Sequence, residues 1–173
     1  MQLYERLLGT SFARLPAALR RFHGQAGGRA GFALEVTHEP GFLRNAVARI
    51  LRMPTAAARA PGTLAVTVQG DRETWVRTFP GMTLRTTQWV DAGRLVEQAG
   101  AMQFLFAVDA DERGMRFSQT TCRMFGLTLP RALAPHVETV VRGDDRGWDV
   151  LVSIAAPLLG RIATYGGPVT PQP

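Results

Sequence analysis

From Thr63 to Tyr165 the chain is a succession of short stretches in which apolar and polar side chains alternate, each ended by a brief turn. Alternation with a period of two marks a strand that shows one face to a core and the other to solvent. The turn signals are Gln69-Gly70-Asp71, Pro80-Gly81, Asp91-Ala92-Gly93, Asp109 to Gly114 and Gly143 to Gly147. Connections this short join antiparallel neighbours, because parallel pairing needs a crossover of about a dozen residues. Strands are therefore expected over 63–69, 73–79, 82–90, 94–97, 102–108, 115–123, 137–142, 148–154 and 161–165, with an earlier one at Phe32 to Val36.

The first 24 residues read as helical. Leu3, Tyr4, Leu7 and Leu8 form one apolar stripe, and Leu15, Leu19 and Phe22 form another after Gly9-Thr10, with Pro16 suited to a first turn. Gly24 to Gly31 reads as a flexible connection. Phe42, Leu43, Ala46, Val47, Ile50 and Leu51 recur at helical spacing and Met53-Pro54 ends that helix. Such a basic helix either packs its apolar stripe on the sheet or lies on an anionic membrane. Leu129 to Pro135 is expected to make a single helical turn. These elements predict an α+β fold: a curved antiparallel sheet of about eight strands with the N-terminal helices packed on one, concave face. A single domain is expected over residues 1–165, and a flexible tail over 166–173.

Composition narrows the chemistry. A chain of 173 residues can bury roughly 68–70% of its unfolded surface, so it needs no staple to form a core. All 20 basic residues are Arg, which excludes a phosphate loop built on Gly-Lys-Ser/Thr, Schiff-base chemistry and a lysine base. The net charge of +6 is spread along the chain with no run longer than Arg20-Arg21, so no nucleic-acid partner is expected. Cys122 is alone, which removes a disulfide framework and a multi-cysteine zinc site and points to the cytoplasm. No apolar stretch approaches the roughly 20 residues of a membrane span, and no signal peptide is evident. His23, His38 and His136 fall at three separate element ends without ligand spacing, so no metal and no other cofactor is expected. No Gly-x-Ser-x-Gly surrounds a serine, and the glycines at 24, 27, 28 and 31 lack dinucleotide spacing. Asp109 to Gly114 and Arg142-Gly143-Asp144 read as turns.

One strand face carries the strongest polar signal. In Glu73-Thr74-Trp75-Val76-Arg77-Thr78-Phe79, a carboxylate, an indole, a guanidinium and a phenyl ring share one side. Glu97 offers a cross-strand partner for Arg77. Two readings stay open: a packed ion pair under aromatic cover, or an anion-binding fork on the floor of a ligand pocket.

Several ordered segments resemble a known family. They are Tyr4-Glu5-Arg6-Leu7-Leu8-Gly9, Arg21-Phe22-His23-Gly24, Glu73-x-Trp75-x-Arg77-x-Phe79, Leu95-Val96-Glu97-Gln98-Ala99-Gly100, Gly126-Leu127-x-Leu129-Pro130 and Pro157-Leu158-Leu159-Gly160-Arg161 leading to Tyr165-x-Gly167. Together they are similar to the bacterial domain-of-unknown-function family numbered 4166 over nearly the whole chain. The resemblance carries no established activity. Its members stand alone or follow NAD(P)-binding, saccharopine-dehydrogenase-like proteins, which implies small-molecule metabolism or a dehydrogenase partner.

A sheet curled around helices leaves an apolar pocket with a few convergent polar groups. The leading expectation is a non-catalytic domain binding a small-molecule or lipid-like ligand, with Glu73, Trp75, Arg77, Phe79, Glu97, His23 and Tyr165 at the pocket. The alternatives are an enzyme with Glu73 or Glu97 as general base beside Arg77, and an interaction module for an NAD(P)-dependent dehydrogenase.

Overall fold

A computed structural model describes residues 1–50 and 53–172. Its strands are β1 (Gly28–His38), β2 (Ala57–Gln69), β3 (Arg72–Phe79), β4 (Met82–Asp91), β5 (Arg94–Ala99) and β6 (Met102–Asp111). They continue with β7 (Gly114–Met124), β8 (Leu127–Thr128), β9 (His136–Gly143), β10 (Trp148–Ala156) and β11 (Gly160–Gln172). Each strand from β1 to β7 pairs antiparallel with the next, β7 pairs with β9, and β9, β10 and β11 follow in turn. β11 then pairs with β1. Ten strands thus close into an up-and-down barrel, and the two-residue β8 hangs on the end of β7.

This corrects the expected α+β fold with an open curved sheet of about eight strands. The antiparallel sheet and its short turns are present; the open edges are not. The missing pieces are the two sides of the seam. β1 begins at Gly28, inside the stretch expected to be a loop, and β11 runs to Gln172, through the residues expected to be a flexible tail. The two are paired from Arg29↔Gln172 to His38↔Ala163. Gly28, Gly31, Gly166, Gly167 and Pro168 are poor strand formers, so the alternating signal fades where the barrel closes. Glycine is there for close approach. At Gly167, with φ +147°, an added Cβ would lie 2.6 Å from the Ala33 carbonyl oxygen across the seam. At Gly62, opposite Phe32, a Cβ would run into the Phe32 ring and the Thr78 carbonyl.

Up-and-down order places every connection at one of two ends. One end holds the turns β2–β3, β4–β5, β6–β7 and β9–β10; the other holds β1–β2, β3–β4, β5–β6, β7–β9 and β10–β11. The N-terminal segment plugs the first end. Helix α1 (Leu3–Leu8), a 3₁₀ helix (Gly9–Arg14) and helix α2 (Ala17–His23) bury Leu3, Tyr4, Phe12, Leu15, Leu19 and Phe22 among the inward aromatics of the strands. The Gln2 N–H donates to Glu5 Oε2 at 2.7 Å, starting α1. The plug is tied to three turns: Arg6 donates to the Asp71 carbonyl (3.1 Å), Arg14 meets Glu112 (2.8 Å), and the Ala18 N–H donates to the Asp144 carbonyl (3.1 Å). The helices therefore stop a barrel end rather than cover a sheet face.

Helix α3 (Phe42–Ile50) sits at the opposite end, in the β1–β2 connection. Ala48 packs on Ile162 and Ala163 of β11, with Val47 beside them, and Arg44 Nε donates to the Leu159 carbonyl at 2.9 Å. Of the expected stripe Val47 packs on the sheet, beside Ala48 which the stripe did not include, whereas Phe42 and Leu43 face solvent. Leu51 lies outside the described residues. Around 130–134, Leu133 and Ala134 N–H groups donate to the Pro130 carbonyl, which makes the single turn expected there.

Candidate functional site: a cavity inside the barrel

The interior face of β3 carries Glu73, Trp75, Arg77 and Phe79, the set singled out by alternation. The two-residue turn Pro80-Gly81 sets the register of the next strand, pairing Glu73↔Gln88, Trp75↔Thr86 and Arg77↔Leu84. Thr86 and Gln88 therefore also point inward and are buried. β5 adds Glu97 directly opposite Gln88. Three adjacent strands thereby gather all the polar side chains of one interior wall.

Arg77 is held by two neighbours. Its Nη1 donates to Thr86 Oγ1 at 3.0 Å, and both Nη atoms approach Glu97 Oε1 at 3.4 Å. That second distance exceeds the 2.7–2.9 Å of a tight charge-assisted bond. The side chains keep 20% and 21% of their surface exposed, so the pair faces open space rather than packed atoms. The guanidinium carbon lies 5.2 Å from the Trp75 ring centroid. Trp75 Nε1 in turn donates to Glu73 Oε2 at 3.0 Å.

The plug completes the wall. The Tyr4 hydroxyl donates to Gln88 Oε1 at 3.0 Å, and its ring centroid lies 4.1 Å from that of His23. His23 stacks on Trp75 with centroids 5.7 Å apart. Burial pushes the His23 ring down to about 3, so it is neutral over ordinary pH. Among the described residues its ring nitrogens have no hydrogen-bond partner, and neither is sealed from the cavity. Burial raises the Glu73 carboxyl and, with the Glu73 and Glu97 charges nearby, pushes the Tyr4 phenol well above its ordinary value. Tyr165 is likewise raised by burial. Cys122 is buried in the barrel, and burial lifts its thiol to about 11, so it stays protonated and unreactive. Among the described residues no three His, Cys, Asp or Glu side chains converge as a metal would need.

The Arg77, Thr86, Gln88 and Glu97 side chains border a cavity of about 580 Å³ that runs from Tyr4 and His23 at the plug to Gly100, Met124 and Phe125 at the open end. Its other walls are mostly apolar, with Phe32, Leu64, Phe104, Phe106, Phe117 and Trp148 prominent beside Thr139 and Tyr165. Of the seven residues expected at the pocket, His23, Trp75, Arg77, Glu97 and Tyr165 line it. Glu73 is spent on the Trp75 indole, and Phe79 packs with Leu34, Val36 and Ala60 in a separate cluster. Tyr4, Thr86 and Gln88 were missed. The two strand residues follow from carrying the β3 alternation across a two-residue turn; Tyr4 has no local signal, because a plug far in sequence puts it there.

Fold and site define a class of protein: a closed up-and-down antiparallel barrel, plugged at one end, around an apolar cavity with one polar wall. The chain belongs to the family described as domain of unknown function DUF4166, whose model matches residues 15–168. No curated protein and no solved structure matches it. No helix among the described residues is long and apolar enough to cross a membrane.

Proposed function

We propose that this barrel is a non-catalytic binding protein for a small apolar ligand with one uncharged polar end. The observation that carries the reading is the cavity itself: about 580 Å³, largely apolar, with most of its polar groups on β3, β4, β5 and the plug. Ligand pockets typically span about 300–1,000 Å³ and fix orientation with a few convergent polar groups. The charge of Arg77 is offset by Glu97, and His23 is neutral, so the wall favours a hydroxyl or carbonyl over a free carboxylate. Arg77 Nε has no partner among the described residues and supplies a donor to such a group.

A catalytic role finds less support. Glu73 has the raised carboxyl that a general base would use, yet it accepts the Trp75 N–H and does not line the cavity. Glu97 lines the cavity but is engaged with Arg77. Native mass spectrometry of freshly purified protein is expected to show a bound apolar compound. Added long-chain alcohols or ketones are expected to raise the Tm more than carboxylates of equal length. Protein that is consistently empty and unshifted by any apolar compound would overturn the reading.

A further inference from the structure

We propose that the open end of the barrel docks on an anionic lipid surface. Three connections that follow one another around that rim, β1–β2, β10–β11 and β7–β9, carry most of the large exposed apolar side chains, Met1 and Leu151 being the exceptions among the described residues. Phe42 is 86% exposed, Phe125 80% and Leu158 103%, and Leu43, Leu127 and Leu133 accompany them. Arg44 bonded to the Leu159 carbonyl holds the start of α3 against the β10–β11 turn, so Phe42, Leu43 and Leu158 belong to one arc. Phe125 and Met124 also border the cavity, so the arc reaches its mouth.

Two of these residues sit in backbone that disfavours them. Phe125 has φ +50° and Leu158 φ +64°, the left-handed region where a bulky side chain is strained. Neither gains packing in return, since both are almost wholly exposed. At the plugged end the comparable left-handed slot is held by Ala92. Large apolar groups kept at a strained, unpacked position on one rim mark a surface that meets something apolar.

Charge selects the occupant. Among the described residues the connections at the open end carry Arg44, Arg49 and Arg131 against one acid, Glu39, with Arg161 just inside β11. Arg49, Arg131 and Arg161 are exposed and make no ion pair with a described residue. The turns at the plugged end carry Asp71, Glu112, Asp144 and Asp145 against Arg113 and Arg146, and the plug's Arg6, Arg14, Arg20 and Arg21 are each bonded to a carbonyl or carboxylate. An apolar arc interleaved with unpaired arginines fits a bilayer with anionic headgroups, where rings and leucines enter the interface and guanidinium groups meet phosphate. In that pose the cavity mouth opens toward the acyl chains, so an apolar ligand passes between bilayer and barrel without crossing water.

Flotation of the whole chain with phosphatidylcholine vesicles, with and without phosphatidylglycerol, tests the proposal at physiological salt. Binding is expected on the anionic vesicles and not on the neutral ones. The pair Phe125→Asn and Leu158→Asn is expected to lower the bound fraction about tenfold, as is the set Arg49→Glu, Arg131→Glu and Arg161→Glu. Asn suits left-handed backbone, so the first pair keeps an unchanged circular dichroism spectrum and Tm. Arg113→Glu at the plugged end is expected to bind as the parent does. The proposal is overturned by absence of flotation, by equal flotation on neutral vesicles, or by a capped-end substitution that matters as much as the rim. A dimer in gel filtration that the rim substitutions dissolve would also overturn it and assign the arc to a second copy. No ligand is used, so failure here leaves the cavity reading intact, and an empty cavity leaves this one intact.

Discussion

The two ends of this barrel are built on opposite terms. The plugged end is closed by three short helical pieces whose apolar side chains are nearly all buried, and its turns are polar or small: Gly70-Asp71, Ala92-Gly93, Glu112-Arg113 and Asp144 to Gly147. Among the described residues the open end has no plug, and its connections present Phe125, Leu127 and Leu158 to solvent. Stability is concentrated where side chains interdigitate, and the proposed ligand exchange needs the end where they do not. A barrel whose both ends were plugged would be more stable and could not exchange a ligand.

That contrast can be broken most sharply at Tyr4. Tyr4→Ala removes a buried ring from the stack with His23 and leaves Gln88 without its donor, so denaturant unfolding should show a loss of about 3–5 kcal/mol. A loss below about 1 kcal/mol would mean that the plug is not integral to the core.

Acid should attack the same end. The unfolded chain protonates His23 below its ordinary value of 6.5, whereas the folded barrel does not until about 3. Between these values the unfolded state holds more protons, so stability is complete above pH 6.5 and falls as pH drops toward 3. The steepest slope from this group is about 1.4 kcal/mol per pH unit. Substituting His23→Phe should flatten that acid limb in Tm measured against pH; an unchanged limb would place the sensitivity elsewhere.

Midway along the barrel, Arg77→Ala leaves Glu97 facing the cavity alone. Both groups are one-fifth exposed, so the cost should be about 2 kcal/mol rather than the 3–5 of a fully buried pair. Retention of the bound compound should fall with it. If retention is unchanged, the polar wall does not orient the ligand.

The smallest effect is expected at the open rim. Leu158→Asn should change stability by no more than about 0.5 kcal/mol, since the side chain packs on nothing and Asn relieves the left-handed backbone. A marked loss would show that the rim is structural after all.

Much of the strand content was legible because alternation is local: β3 to β7, β9 and β10 lie within a few residues of their expected bounds. The shared interior face of Glu73, Trp75, Arg77 and Phe79 was legible for the same reason. The closure was not. It depends on β1 and β11, whose glycines and Pro168 serve backbone approach across the seam and erase the alternating pattern there. An open sheet with helices on its concave face and a closed barrel with helices in its end share nearly the same local signals.

Sequence alone determined which side chains share a face, because the pleat has a period of two whatever surrounds it. It also determined the absence of lysine chemistry and of a disulfide framework, which no fold can restore. Only the tertiary structure decided that the β1–β11 seam shuts, that Tyr4 and His23 reach the strand carrying Trp75, and that most of the exposed Phe and Leu residues gather on one rim. These are contacts between segments far apart in the chain, and their free energy comes from burial and pairing that exist only once the ring is complete.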